Sequence, residues 1–166
     1  WRHKNWIICA LQFKGHHRQL MTPNRWTELF FLDEAVALAA GHRPCAVCRR
    51  QAYNAWMDAM SAGAGVPRLS APDVDKRLHA EHAVPGARAM QTQQVRSEDL
   101  PDGAFILEPD SGTPALVLRD RLLPWTHTGY RKPVSRSLGN VTTLTPPTSL
   151  AALRGGCAPL FHPSSA

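Results

Sequence analysis

The feature that most constrains this chain is Pro44-Cys45-Ala46-Val47-Cys48-Arg49-Arg50. Two thiolates three residues apart at a helix start can grip one tetrahedral Zn²⁺, because the chain turns both sulfurs to the same side. The positive potential of a helix N-terminus further favours thiolate over thiol. Such a pair is half a site, so a metal needs further donors. The chain has four cysteines in 166 residues, too few for a disulfide scaffold at this size. No secretion-signal pattern of a basic start and a long apolar centre is visible. These points favour reduced thiols holding a metal over a redox pair, since no thioredoxin-like strand precedes the motif. They point to a cytoplasmic or nucleoid-like setting. The longest apolar runs, such as that from Trp6 to Leu11, fall far short of a bilayer span, so no membrane association is expected.

Around this motif the pattern predicts an α+β fold in which an α-rich, cysteine-bearing half precedes a β-rich one. Strands are expected at 6–13 and 28–32. Asp33 is placed to N-cap a helix beginning at Glu34, which Gly41 ends. A second helix is expected from Pro44, at its first turn, to about Met60, then a flexible break over 61–67 and a helix over 73–83. After residue 95, two apolar runs (104–107 and 115–118) flank a Gly turn and read as a hairpin. Strands at 122–125 and 141–144 and a short helix over 148–154 follow. The expected divisions are a zinc module over 1–60, a helical connector over 61–94 and a β-rich domain over 95–166.

Charge is unevenly distributed. Residues 1–50 hold eight Lys/Arg against three acids, a balance of +5 within a total of +6. Fifteen of the nineteen cations are Arg, whose planar fork suits bidentate phosphate contacts. A basic module of this kind suggests a polyanion partner, nucleic acid and above all DNA, with Lys14, Arg18, Arg25, Arg49 and Arg50 as the phosphate contacts. A basic surface without such a partner is the plainer alternative.

The block Phe30-Phe-Leu-Asp-Glu-Ala-Val-Ala-Leu-Ala-Ala-Gly41-His-Arg-Pro-Cys45-Ala-Val-Cys48 resembles the metal-binding domain of the Ada-type DNA methyl-phosphotriester repair proteins. Ile7-Ile8-Cys9 resembles the strand that carries that family's first cysteine. The likeness spans about residues 5–50. It implies that Cys9 is both a zinc ligand and the thiolate that accepts a methyl group from the DNA backbone. The family spaces its first two cysteines C-x3-C, whereas the residue four beyond Cys9 is Phe13. The fourth ligand must then come from elsewhere. His42 is the first choice, with His16, His17, His79, His82 and Cys157 as alternatives. A neutral His in place of a thiolate leaves the zinc cluster at −1 and Cys9 less nucleophilic. Residues beyond 50 carry neither an AraC-like DNA-reading helix pair nor a methylguanine-transferase motif.

A second constellation is His79-Ala80-Glu81-His82. With Cys45 and Cys48 it supplies the ligand and acid/base letters of zinc deaminases, a zinc hydrolase in which His79 binds metal and Glu81 shuttles protons. Deaminases place His-x-Glu before Pro-Cys-x-x-Cys, and here the order is reversed. The structural alternative is a solvated amphipathic helix. Trp125 to Lys132 interleaves aromatics with cations as base-stacking surfaces do, or else Trp125 is core. No P-loop, Rossmann fingerprint or nucleophile elbow is present. Three functions follow: a zinc-thiolate protein acting on or sensing modified DNA, a nucleobase hydrolase, or a zinc-stapled interaction domain without catalysis.

Overall fold

The computed structural model describes residues 3–15, 20, 22–23, 28–87 and 89–166. Its centre is a seven-stranded antiparallel sheet. The strands are β3 (Gln93–Arg96), β4 (Phe105–Leu107), β5 (Pro114–Leu118), β6 (Arg121–Thr126), β7 (Gly129–Tyr130), β8 (Val134–Ser135) and β9 (Asn140–Thr143). They run in the order β3-β9-β4-β5-β6-β7, with β8 also on β6. The expected hairpin is β4–β5, paired Phe105 to Leu116.

Alternation along β4, β5 and β6 explains their unbroken apolar runs, because both faces of the sheet are covered there. Ile106, Ala115, Val117 and Leu122 join one core with residues of α2 (Arg50–Ala64), α3 (Ala71–His82) and α4 (Pro147–Arg154). Phe105, Leu116, Leu123 and Tyr130 point the other way, onto Ala35 and Ala39 of α1 (Glu34–Ala39). The first core draws on all three stretches distinguished by composition: Leu38 and Trp56, Val74 and Leu78, Ile106 and Leu150.

Local chemistry sets the helix ends. Asp33 accepts the Val36 N–H at 3.0 Å as the N-cap of α1, as expected. Beyond the helix Gly41 adopts φ +74°, and a Cβ there would sit 2.9 Å from Cγ of His82. Glycine is therefore required both for the turn and for the approach of that ring.

Four expectations are corrected. Pro44 does not open a helix: Arg43–Pro44 forms strand β2, parallel to β1 (Ile7–Ile8). The Arg43 and Cys45 amides donate to the carbonyls of Trp6 and Ile8, which draws this segment into a ladder and delays α2 to Arg50. The strand expected over 6–13 is confined to Ile7–Ile8, and 28–32 contains no strand. Nor is 61–67 all flexible break, since α2 continues to Ala64. Gly63 and Gly155 make that continuation possible. A Cβ on Gly63 would lie 1.9 Å from the Ala151 oxygen, and one on Gly155 would lie 1.9 Å from the Ala59 oxygen. Helices α2 and α4 thus meet backbone to backbone, and Gly63, in a stretch that resembles a linker, is a packing device.

No helix among the described residues is long and apolar enough to cross a membrane.

Candidate metal centre

Cys9 follows β1, and Cys45 follows β2. Their parallel ladder brings residues 36 apart in sequence side by side. The chain then turns through 46–49 before α2, the Arg49 amide donating to the Cys45 carbonyl at 3.2 Å, and this returns Cys48 to the same spot. The three sulfurs lie within 4.8 Å of one another. Tetrahedral zinc with bonds of about 2.3 Å sets its sulfurs about 3.8 Å apart, so a small closure suffices. The Ala10 amide donates to Cys48 Sγ at 3.2 Å, and the Val47 amide to Cys45 Sγ at 3.4 Å. Cys45 is buried, Cys48 half-buried and Cys9 exposed.

The sulfurs of the trio influence one another's ionisation. Partial burial, then the neighbouring Cys45 and Cys48 sulfurs, push the Cys9 thiol up to about 12. Burial also opposes ionisation of Cys45. The Cys48 and Val47 amides and the Cys48 and Cys9 thiols, all donating to its sulfur, nevertheless hold it below the ordinary thiol value. Ionising Cys9 beside the Cys45 and Cys48 sulfurs is therefore unfavourable. A divalent ion removes that penalty, so the donor set fits a metal.

The remaining proposed ligands lie elsewhere. Among the described residues the ion-sharing group ends at the three cysteines and does not include His42. The His42 ring is buried, its Nδ1 lies 2.9 Å from the Ala40 carbonyl oxygen, and it packs on Trp6 and Phe31. Burial is the main cause that lowers its pKa to about 4, with His82 adding to the effect. His79 and His82 do share a helix face, as their spacing implies, but that face meets the Trp6 ring, at 6.3 and 5.1 Å. Burial, then His79, lowers the pKa of His82. Cys157 packs against the first core, where burial raises its pKa.

Glu81 has a structural partner. Its carboxylate accepts the Thr148 amide at 2.8 Å and the Thr148 hydroxyl at 2.9 Å, capping the start of α4. Of the candidate phosphate contacts, Lys14 and Arg50 are exposed, whereas Arg49 is ion-paired with Glu34. Arg18 and Arg25 lie outside the described residues, as do His16 and His17. Trp125 leans on the second core, with His127 edge-on at 4.6 Å.

Sequence reasoning missed Arg43 and Asp75. The Arg43 guanidinium donates to both Asp75 oxygens, at 2.7 and 2.8 Å, and to the Pro44 carbonyl at 3.1 Å. This pair clamps β2, and hence Cys45, to α3. The adjacency of Arg43 to Pro44-Cys45 was a signal for one partner. Nothing local marked Asp75, 32 residues away.

No protein-family model, no curated protein and no solved structure matches the chain.

Proposed function

We propose that the chain is a zinc-thiolate protein of the cytoplasm that associates with nucleic acid, with Cys9 as a solvent-facing nucleophile. The observation that carries this reading is the sulfur trio, within 4.8 Å, with its exposed member at Cys9. Zinc, when bound, keeps the three sulfurs ionised near neutral pH. Cys45 and Cys48 anchor the site from the turn before α2, their sulfurs fixed by the Val47 and Ala10 amides. Cys9 meets the incoming group. The Ada resemblance suggests a DNA methyl phosphotriester as the electrophile. Cys9 Sγ attacks the methyl carbon, the carbon–oxygen bond breaks, and its electron pair leaves on the phosphodiester oxygen. Cys9 ends as a methyl thioether. Exposed Lys14 and Arg50 contribute phosphate contacts, so affinity for DNA falls steeply as salt rises.

The test uses the full chain with a duplex carrying one methyl phosphotriester. Zinc content is measured alongside peptide mapping of Cys9. The expected result is one zinc per chain and a methyl group on Cys9, with the methyl transfer abolished in Cys9→Ser and zinc held there by one sulfur fewer. Bound zinc with an unmodified Cys9 would overturn the transfer chemistry and leave a non-catalytic zinc staple. That second reading draws on the short β1–β2 ladder, which by itself secures the N-terminal strand weakly. Two or three net hydrogen bonds are worth only about 1 kcal/mol each.

A further inference from the structure

The ion-sharing group among the described residues consists of three sulfurs and includes no carboxylate or imidazole. We propose that this trio is a receptor for a trivalent thiophilic metalloid, with arsenous acid as the probe. Soft thiolates select soft acceptors. Trivalent arsenic completes its valence with three sulfurs in a pyramid, whereas a divalent ion on the same three thiolates is left at −1 and takes a fourth donor. The exchange balances without any redox partner. Three arsenic–oxygen bonds break, three arsenic–sulfur bonds form, and each departing hydroxide takes the proton of the thiol replacing it, so three waters leave.

The surroundings suit that ligand. Arsenous acid is uncharged near neutral pH, and the cysteines have exposed apolar neighbours in sequence: Ile7, Leu11 and Val47 are 38%, 85% and 69% exposed. A neutral adduct also places no charge beside Cys45, which is 7% exposed. The third sulfur supplies the selectivity. Any Cys-x-x-Cys pair offers two thiols, but here the ladder holds Cys9 ready, so its bond forms at high effective concentration. Occupation ties β1 to the turn before α2.

The proposal shares the sulfur trio with the zinc reading but uses neither its fourth donor nor nucleic acid. The experiment titrates the reduced full chain with arsenite, reading near-ultraviolet sulfur-to-arsenic absorption and intact mass, with zinc content measured on parallel samples. The expected adduct has one arsenic per chain and a mass gain of one arsenic less three hydrogens. Affinity should drop about a hundredfold or more in Cys9→Ser, with Cys157→Ser unchanged. Cys9 is exposed, so its variant remains decisive even if those at Cys45 and Cys48 fail to fold. Amide exchange in residues 7–10 should slow on binding. No adduct, or one of equal affinity in Cys9→Ser, would overturn the proposal. Zinc bound with arsenite refused would overturn it alone, and a three-thiol arsenic adduct with zinc refused would overturn only the zinc reading.

Discussion

Arg43 and Asp75 form a buried, bidentate ion pair, with side chains 6% and 11% exposed, that joins the strand before Cys45 to the middle of α3. The Arg43 guanidinium also lies 5.4 Å from the centre of the Tyr53 ring on α2. Removing one partner leaves a buried charge without compensation, a loss of about 3–5 kcal/mol. Asp75→Ala should therefore lower stability by that order in urea unfolding, whereas the apolar pair Arg43→Met with Asp75→Leu should recover most of it. Equal losses in the single and double variants would contradict this account.

The contact between α2 and α4 depends on the absence of two side chains. Gly63→Ala and Gly155→Ala each drive a methyl group into a carbonyl oxygen, and overpacking of this kind costs about 1–3 kcal/mol. Both variants should shift the urea midpoint downwards. A neutral or stabilising Gly63→Ala, as expected for a glycine in an uncrowded helix, would exclude the close approach.

Glu81 gives a sharper contrast with hydrolysis. As the cap of α4 it should cost about 1–2 kcal/mol when changed to Ala, and the metal content should not move. Loss of metal in Glu81→Ala with stability intact would return this residue to the metal site.

Acid should weaken the joint beneath Trp6. In the folded state His42 binds a proton only near pH 4, while the unfolded chain binds one near its ordinary value of 6.5. Between those values the unfolded state holds more protons, so stability is full above about pH 6.5 and falls as the pH drops towards 4. The loss attributable to His42 is on the order of 3 kcal/mol. Urea unfolding from pH 7 to 4.5 with a metal chelator present should show a shallower slope for His42→Gln than for the wild type. Parallel slopes would contradict the assignment.

What was legible in the sequence was what local chemistry determines. The Asp33 cap, the Gly41 turn and the hairpin of two apolar runs need only a few neighbouring residues. So does the convergence of Cys45 and Cys48. Cys9 joined them through a family resemblance, and the structure supplies the physical reason in the Ile7–Ile8 ladder. The failures are all non-local. Pro44 reads as a helix start until the Trp6 and Ile8 carbonyls claim the amides on either side of it. Ser61 to Gly65 reads as a linker until α4 is laid against it. His42 reads as a ligand because it is near in sequence, yet its ring is packed on Trp6 and Phe31. Arg49 reads as a free cation until Glu34 is brought beside it.

The central claim is that one metal ion is held by Cys9, Cys45 and Cys48. X-ray absorption at the zinc edge on the metal-loaded full chain tests it most directly. The account predicts three sulfur neighbours at about 2.3 Å and one lighter donor, with the sulfur count falling by one in Cys9→Ser. Two or fewer sulfurs in the wild type, or a count unchanged by Cys9→Ser, would contradict it.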